Sequence, residues 1–178
     1  GKGPGYERWA KVFNLKQMAA ALAYLQDNGL TEYCQLEKKA EEASDRFHAL
    51  SGQIKQTETA LKANMELKAA TVQYAKTRPV FDKYKESKYS RKFLAEHEAD
   101  IELYRAAQAD MRRLLGGAKL PKMEAQKEEG RKLVAKKKRL YGEYQKARRD
   151  MQEVLTIKAN IDCLLGYSEP AKKKEMER

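Results

Sequence analysis

Catalysis would have few residues to draw on in this chain. His48 and His97 are its only histidines. His48 follows Phe47, whose ring belongs on a buried stripe, so the imidazole one step round the helix is predicted to face solvent. His97 stands in Glu96-His97-Glu98, but neighbours in sequence point away from one another on a helix and cannot close on one metal ion. With Phe93 and Ile101 four residues to either side, His97 reads as packed and half-buried. Cys34 and Cys163 form neither a CxxC pair nor a disulfide framework, and are predicted to be small packing residues near two helix ends. A glycine-rich phosphate loop, GxSxG and HExxH are all absent. No catalytic residue, metal ligand or cofactor is therefore assigned.

The basic clusters are more informative. Arg131, Lys132, Lys136, Lys137, Lys138, Arg139, Lys146, Arg148 and Arg149 crowd one stretch, against Glu143 alone. A solvated helix flank normally mixes signs, as 37–45 does. An unbalanced run of cations binds phosphate backbones by releasing their counterions. The alternative is a solvated face neutralised by glutamates of a partner helix. A second cluster, Arg78, Lys83, Lys85, Lys88, Arg91 and Lys92, outnumbers Asp82 and Glu86 and is interleaved with Phe81, Tyr84, Tyr89 and Phe93. Cations for phosphates and rings for bases are what single-stranded nucleic acid needs; the competing reading makes these rings the small core of a helical tip. From this cluster Arg78, Lys83, Tyr84, Lys88, Tyr89, Arg91 and Lys92 are the candidate contacts.

Helices must position both clusters. A first helix is predicted over about 6–28, with Trp9, Phe13 or Val12, Lys16, Ala20 and Tyr24 on one side and Leu15, Met18, Leu22 and Leu25 beside them. Asn28-Gly29 stops it, and Thr31 caps the next, with Glu32 near its positive end. From there Leu36, Ala40, Ala43, Phe47, Leu50, Ile54, Thr57 and Leu61 alternate by four and three, the seam of a coiled coil. Past Leu61 the phase is read as shifting, by a stutter, to Met65, Lys68 and Val72. A second seam runs through Leu133, Leu140, Tyr144, Ala147, Met151, Val154, Lys158, Ile161 and Leu165, with a gap at Lys137. Pro121 suits its first turn and Gly166 its terminal cap. Antiparallel pairing of these helices, 31–77 and 121–165, would set Leu36 near Leu165 and Leu61 near Leu140, and bring the cysteines together. Pro79 is predicted to break the chain, leaving short helices over about 79–88 and 90–115. Whether the long helices pair within one chain or between two stays open, as does a third helix returning alongside.

The 178 residues suit one domain, and no period-two strand pattern stands out, so the protein reads as all-α: a long antiparallel coiled-coil-like helical hairpin with a small helical tip and an additional N-terminal helix. Residues 1–5 (GKGPG) read as a linker or cloning remnant, so the chain is expected to begin inside something longer, and 167–178 read as a disordered tail. A formal charge of +11 favours a polyanionic partner. The longest uncharged apolar run, Met18 to Leu25, is far too short to span a membrane. No secretory signal opens the chain, and a reduced, cytoplasmic setting fits.

Several segments resemble a known family. Gly5-Tyr6-Glu7-Arg8-Trp9-Ala10-Lys11 with Asn14-Leu15-Lys16-Gln17-Met18 is similar to the start of the C-terminal helical region of relaxases, the mobilisation nucleases of conjugative and mobilisable elements in Gram-positive and related gut bacteria. Thr77-Arg78-Pro79-Val80-Phe81, Tyr89-Ser90-Arg91-Lys92-Phe93, Lys158-Ala159-Asn160-Ile161-Asp162 and Leu164-Leu165-Gly166 resemble segments found there in the same order. The likeness covers roughly Gly5 to Gly166. Relaxases nick one DNA strand through a tyrosine and a histidine-held metal on an N-terminal α/β domain, for which this chain has neither the histidines nor a sheet. The resemblance thus implies a non-catalytic accessory region of a DNA-nicking strand transferase. Its partners would be DNA, bound non-specifically, and relaxosome or transfer-machinery proteins. The competing expectation is a coiled-coil interaction or homodimerisation module without DNA contact.

Overall fold

The computed structural model describes the backbone of residues 4–167 and the side chains of residues 14–167. The described residues form five helices and no strand: α1 (Pro4–Asp27), α2 (Tyr33–Glu86), α3 (Arg91–Glu96), α4 (Glu98–Leu115) and α5 (Met123–Leu165). The fold is all-α, with α2 and α5 paired antiparallel within one chain. Trp9, Val12 and Phe13 lie outside the described side chains. Of the expected linker, Pro4 and Gly5 belong to α1 and residues 1–3 lie outside the described residues, as do 168–178 of the expected tail; Tyr167, counted with that tail, packs edge-on against Tyr33 at 5.2 Å.

The chain divides into two compact units, one of residues up to Ser51 together with those from Gly142, the other Gly52–Tyr141. In the first, Leu36 and Ala40 of α2 interlock with Val154, Ile157 and Ile161 of α5, and Ala21 of α1 is fully buried against them. The buried face of α1 is Ala21 with half-buried Met18, Tyr24 and Leu25, whereas Leu15 and Leu22 are exposed. A small residue at the contact lets the helix come close, while Leu15 and Leu22 are turned outward. Gly29 (φ +64°) ends α1 as read, with the Leu30 N–H returning to the Leu25 carbonyl at 2.8 Å. The N-terminus of α2 differs from expectation. Gln35 Oε1 accepts from the Thr31 and Glu32 N–H groups at 2.8 and 3.1 Å, so a glutamine inside the first turn does the capping and the helix begins at Tyr33.

A polar lock sets the register of this unit. The Tyr33 hydroxyl donates to Asp162 Oδ1, and Lys158 Nζ donates to Asp162 Oδ2 at 2.8 Å. Phe47 meets Tyr144 with ring centroids 5.0 Å apart. The expected pairing of Leu36 with Leu165 is therefore displaced by about one heptad: Leu36 packs among Val154, Ile157 and Ile161, and Leu165 is 52% exposed. Cys34 and Cys163, one step round from the bonded pair on each helix, are both exposed and free rather than packed.

In the Gly52–Tyr141 unit, the α2 seam continues through Asn64 without the expected stutter, and Met65 and Val72 are left 64% and 44% exposed. Lys137 fills the gap in the α5 seam, with its Nζ 3.1 Å from Glu58, so Leu61 faces α5 about one heptad before Leu140. Next comes a polar layer. Asn64 Nδ2 donates to the Gln126 carbonyl at 2.9 Å, and Gln126 Nε2 donates to Thr71 Oγ1 at 3.2 Å and to the Pro121 carbonyl at 3.0 Å. Pro121 thus precedes α5 instead of sitting in its first turn. Buried Gly130 makes room for this layer, since a Cβ there would lie 2.7 Å from Asn64 Oδ1.

The helix break expected at Pro79 does not occur, and α2 runs through it to Glu86. Proline costs that helix one hydrogen bond. Continuing it, however, keeps Phe81 and Tyr84 in phase with Tyr74 and Thr77, where α4 covers them. Helix α4 returns antiparallel beside α2: Tyr104 stacks on Phe81 at 4.0 Å and on Tyr74 at 5.0 Å, and Arg113 pairs with Glu66 at 3.1 Å. The expected 90–115 helix is two, hinged at His97, whose N–H is shared between the Phe93 and Leu94 carbonyls. The stripe read from sequence survives this hinge: His97 packs on Phe93 at 4.3 Å, and Ile101 and Tyr104 are buried.

Both locks can be tested by substitution. Gly130→Ala should lower stability by about 1 kcal/mol or more, since displacing the Asn64 amide outweighs the gain in helix propensity. Gly142→Ala, with nothing within 4 Å of the new Cβ, should raise it by about 0.5–1 kcal/mol; denaturant unfolding of both variants checks the contrast. The Lys158 ammonium, with help from the Tyr33 hydroxyl, holds the Asp162 carboxyl below the usual carboxylate range. Its contribution is then complete above about pH 4 and fades as pH falls through the lowered folded-state value. Asp162→Asn should cost about 1 kcal/mol at neutral pH and flatten the acid limb of the stability–pH curve.

Candidate nucleic-acid interface

The cations singled out above fall in both units, and each unit's set stands by itself. On α5 of the Gly52–Tyr141 unit, Arg131, Lys132, Lys136, Lys138 and Arg139 are exposed. The seam consumes Leu133, Lys137 and Leu140, so the residues between them have only solvent to face. Arg131 pairs with Glu128 on its own helix at 2.8 Å, and Lys137 alone reaches a glutamate of α2. Neutralisation by the partner helix therefore occurs at one residue of this block. Among the described residues Lys132, Lys136, Lys138 and Arg139 make no ion pair.

In the other unit Lys146, Arg148 and Arg149 are exposed and likewise make no ion pair among the described residues. Lys146 lines a groove of about 800 Å³ with Asp150 and Glu153 of α5, Asp27 of α1, and Lys39, Glu42 and Arg46 of α2. The signs are mixed there, so this groove is a poor seat for a polyanion, and the weight of the cationic surface rests on Arg131 to Arg139.

At the end of α2, aromatic residues close the tip. Tyr84 is 5% exposed, hemmed in by Phe81 at 6.0 Å, Phe93 at 6.1 Å and Tyr89 at 5.2 Å. With its ring faces occupied it offers no platform to a base, which corrects its place among the candidate contacts. Deeper in the same stack, burial and the Tyr74 hydroxyl push the Tyr104 phenol up to about 12. Tyr89 differs. It is 58% exposed, and exposed Lys83, Lys88, Arg91 and Lys92, none ion-paired among the described residues, lie within a few residues of it. Arg78 is offset in part by Asp82 at 3.7 Å, and Lys85 lies over the Phe81 ring at 5.3 Å.

The turn carrying Tyr89 is strained. Lys88 and Tyr89 have φ of +53° and +60°, two consecutive residues with side chains in the left-handed region. Its hydrogen bonds hold it there: the Tyr89 N–H donates to the Tyr84 carbonyl at 3.0 Å, Ser87 Oγ to the same carbonyl at 2.7 Å, and the Ser90 N–H to Ser87 Oγ at 3.2 Å. Phe93 N–H is then capped by Ser90 Oγ at 3.4 Å, which starts α3. Strain held by its surroundings is a feature of many functional turns.

His48 is exposed, as read. Among the described residues no group of three or more His, Cys, Asp or Glu gathers in a geometry suited to a metal. No described helix is long and apolar enough to cross a membrane. One surface was missed from sequence: a groove of about 700 Å³ lined by Val72, Leu103 and Met123 together with Lys68, Lys76 and Lys127. The signal was present, since Met65 and Val72 stand seven apart and lie beside the seam once the heptads run on without a stutter. Comparisons with protein-family models, with curated proteins and with solved structures find no match to this chain.

Replacing Lys88 by glycine should relieve one of the two left-handed residues and raise stability by up to about 1 kcal/mol, after allowing for the greater freedom of glycine in the unfolded chain. Thermal or denaturant unfolding checks it; a loss of stability would mean that the packing of the lysine side chain is worth more than the strain.

Proposed function

We propose that this chain is a non-catalytic helical accessory domain that binds DNA non-specifically through α5 and the α2–α3 tip, and that it serves as the C-terminal region of a DNA-mobilisation relaxase in relaxosome assembly, in the bacterial cytoplasm. The observation that carries the DNA reading is the row of exposed, unneutralised cations Lys132, Lys136, Lys138 and Arg139 along one helix. Such a row repels itself, and a phosphate backbone is the partner that relieves the repulsion while releasing counterions. Tyr89, exposed beside Lys88, Arg91 and Lys92, adds a ring on which an unpaired base would stack. The resemblance of the ordered segments supplies the relaxase context and the α5 surface supplies the chemistry. Against the competing reading, a coiled-coil interaction or homodimerisation module without DNA contact, stands the pairing of α2 with α5 within one chain, which occupies both seams.

Fluorescence anisotropy with labelled single- and double-stranded oligonucleotides at about 50 and 200 mM salt tests this. The native chain should bind both, with affinity falling steeply as salt rises. Lys132→Glu, Lys136→Glu, Lys138→Glu and Arg139→Glu together should weaken duplex binding at least about tenfold and flatten the log–log salt slope by roughly 0.9 for each phosphate no longer neutralised. Tyr89→Ala should weaken single-strand binding more than duplex binding. Unchanged affinity in the fourfold variant would reject α5 as the DNA-binding surface.

A further inference from the structure

Within the Gly52–Tyr141 unit the α2–α5 seam has two edges. One is covered by α4, through Tyr104 on Tyr74 and Phe81. The other is open. Val72 of α2 and Met123 and Lys127 of α5 line one groove there, which also takes in Asp100 and Leu103 of α4. The antiparallel heptads carry this edge onward: Met65 lies one heptad before Val72 and Val134 one heptad after Lys127. Met65, Val72, Leu103 and Val134 remain 64%, 44%, 46% and 58% exposed. Apolar side chains left in water at heptad spacing beside an existing seam are what a further helix buries.

Charge decides what kind of helix. Lys68, Lys76 and Lys127 line the groove, with Asp100 of α4 as its one acidic residue. Lys62 and Lys138 stand one helical turn from Met65 and Val134, and none of these five lysines makes an ion pair among the described residues. A second copy of the chain would bring the same cations to the same edge, so like charges oppose self-pairing. Nucleic acid would meet the lysines but leave the apolar side chains in water. We infer that this edge docks an acidic amphipathic helix of a partner protein, with apolar residues at heptad spacing over Met65, Val72 and Val134 and flanking carboxylates against the lysines. The inference shares Lys138 with the DNA reading and otherwise stands apart from it, since its apolar stripe has no part in binding phosphates.

The probe is a stapled, fluorescein-labelled single helix of three heptads with a leucine stripe and glutamate flanks, titrated with the whole chain by anisotropy. It should bind at least about tenfold more tightly than a scramble of the same composition, and than the same stripe flanked by lysine. The double variant Met65→Asp with Val134→Asp, both at exposed positions and with folding checked by circular dichroism, should lose that preference. Lys62→Glu, Lys127→Glu and Lys138→Glu together should turn the preference toward the lysine-flanked helix, which gives a second readout should the aspartates unfold the chain. Equal binding of the scramble would reduce the effect to bulk charge and overturn the inference. Equal binding of the lysine-flanked helix, or no binding of the acidic probe, would do the same.

Discussion

Two helices that share a heptad seam must fill it from both sides, and every other position on them is what that filling leaves over. In each unit α2 and α5 meet along such a seam, yet a heptad repeat looks the same after a slip of seven residues, so apolar matching alone cannot fix the register. Polar residues break the degeneracy. Asn64 reaches the Gln126 carbonyl only where Gly130 admits it, and Tyr33 reaches Asp162 only where Lys158 stands on the other carboxylate oxygen. A slip would bury the Asn64 amide without its acceptor and set a Cβ in its place. The uncompensated polar group, more than the reduced apolar burial, penalises the wrong alignment.

Once the seam is fixed, the cations of α5 from Arg131 to Arg149 have nowhere to go but outward. Lys137 is the exception, since it lies on the seam and finds Glu58 across it. The others crowd an exposed helix, where solvent and salt screen their mutual repulsion at modest cost. The same geometry explains why the open α2–α5 edge combines apolar side chains with lysines. Positions beside the seam inherit hydrophobic residues that neither helix can cover alone, and the next positions round are cationic. Two surfaces of different chemistry thus arise on one helical pair, a cationic flank and an apolar edge bordered by lysines.

The tip shows packing overriding local rules. Proline at position 79 removes a helix hydrogen bond, yet α2 continues, because ending it there would take Phe81 and Tyr84 away from Tyr104 and Phe93. The aromatic stack then demands a sharp reversal after Glu86, and Lys88 and Tyr89 adopt left-handed backbone to provide it. A ring that sequence alone offers as a base-stacking platform, Tyr84, is spent on that stack, and Tyr89 beside it is left in solvent.

Much of this was legible from residue order. The all-α class, the glycine stops at Gly29 and Gly166, and the seam from Leu36 to Leu61 all follow from periodicity and the left-handed preference of glycine, which are properties of one helix at a time. What the sequence could not decide was which turn of α2 meets which turn of α5, whether Pro79 ends a helix, and which aromatic rings are used up in packing. Those outcomes depend on contacts between residues distant along the chain, such as Asn64 with Gln126 or Phe81 with Tyr104, and a local pattern carries no information about the partner. The outward run of Arg131 to Arg139 was readable; that Lys137 alone would be neutralised by α2 emerged only when the two helices were set side by side.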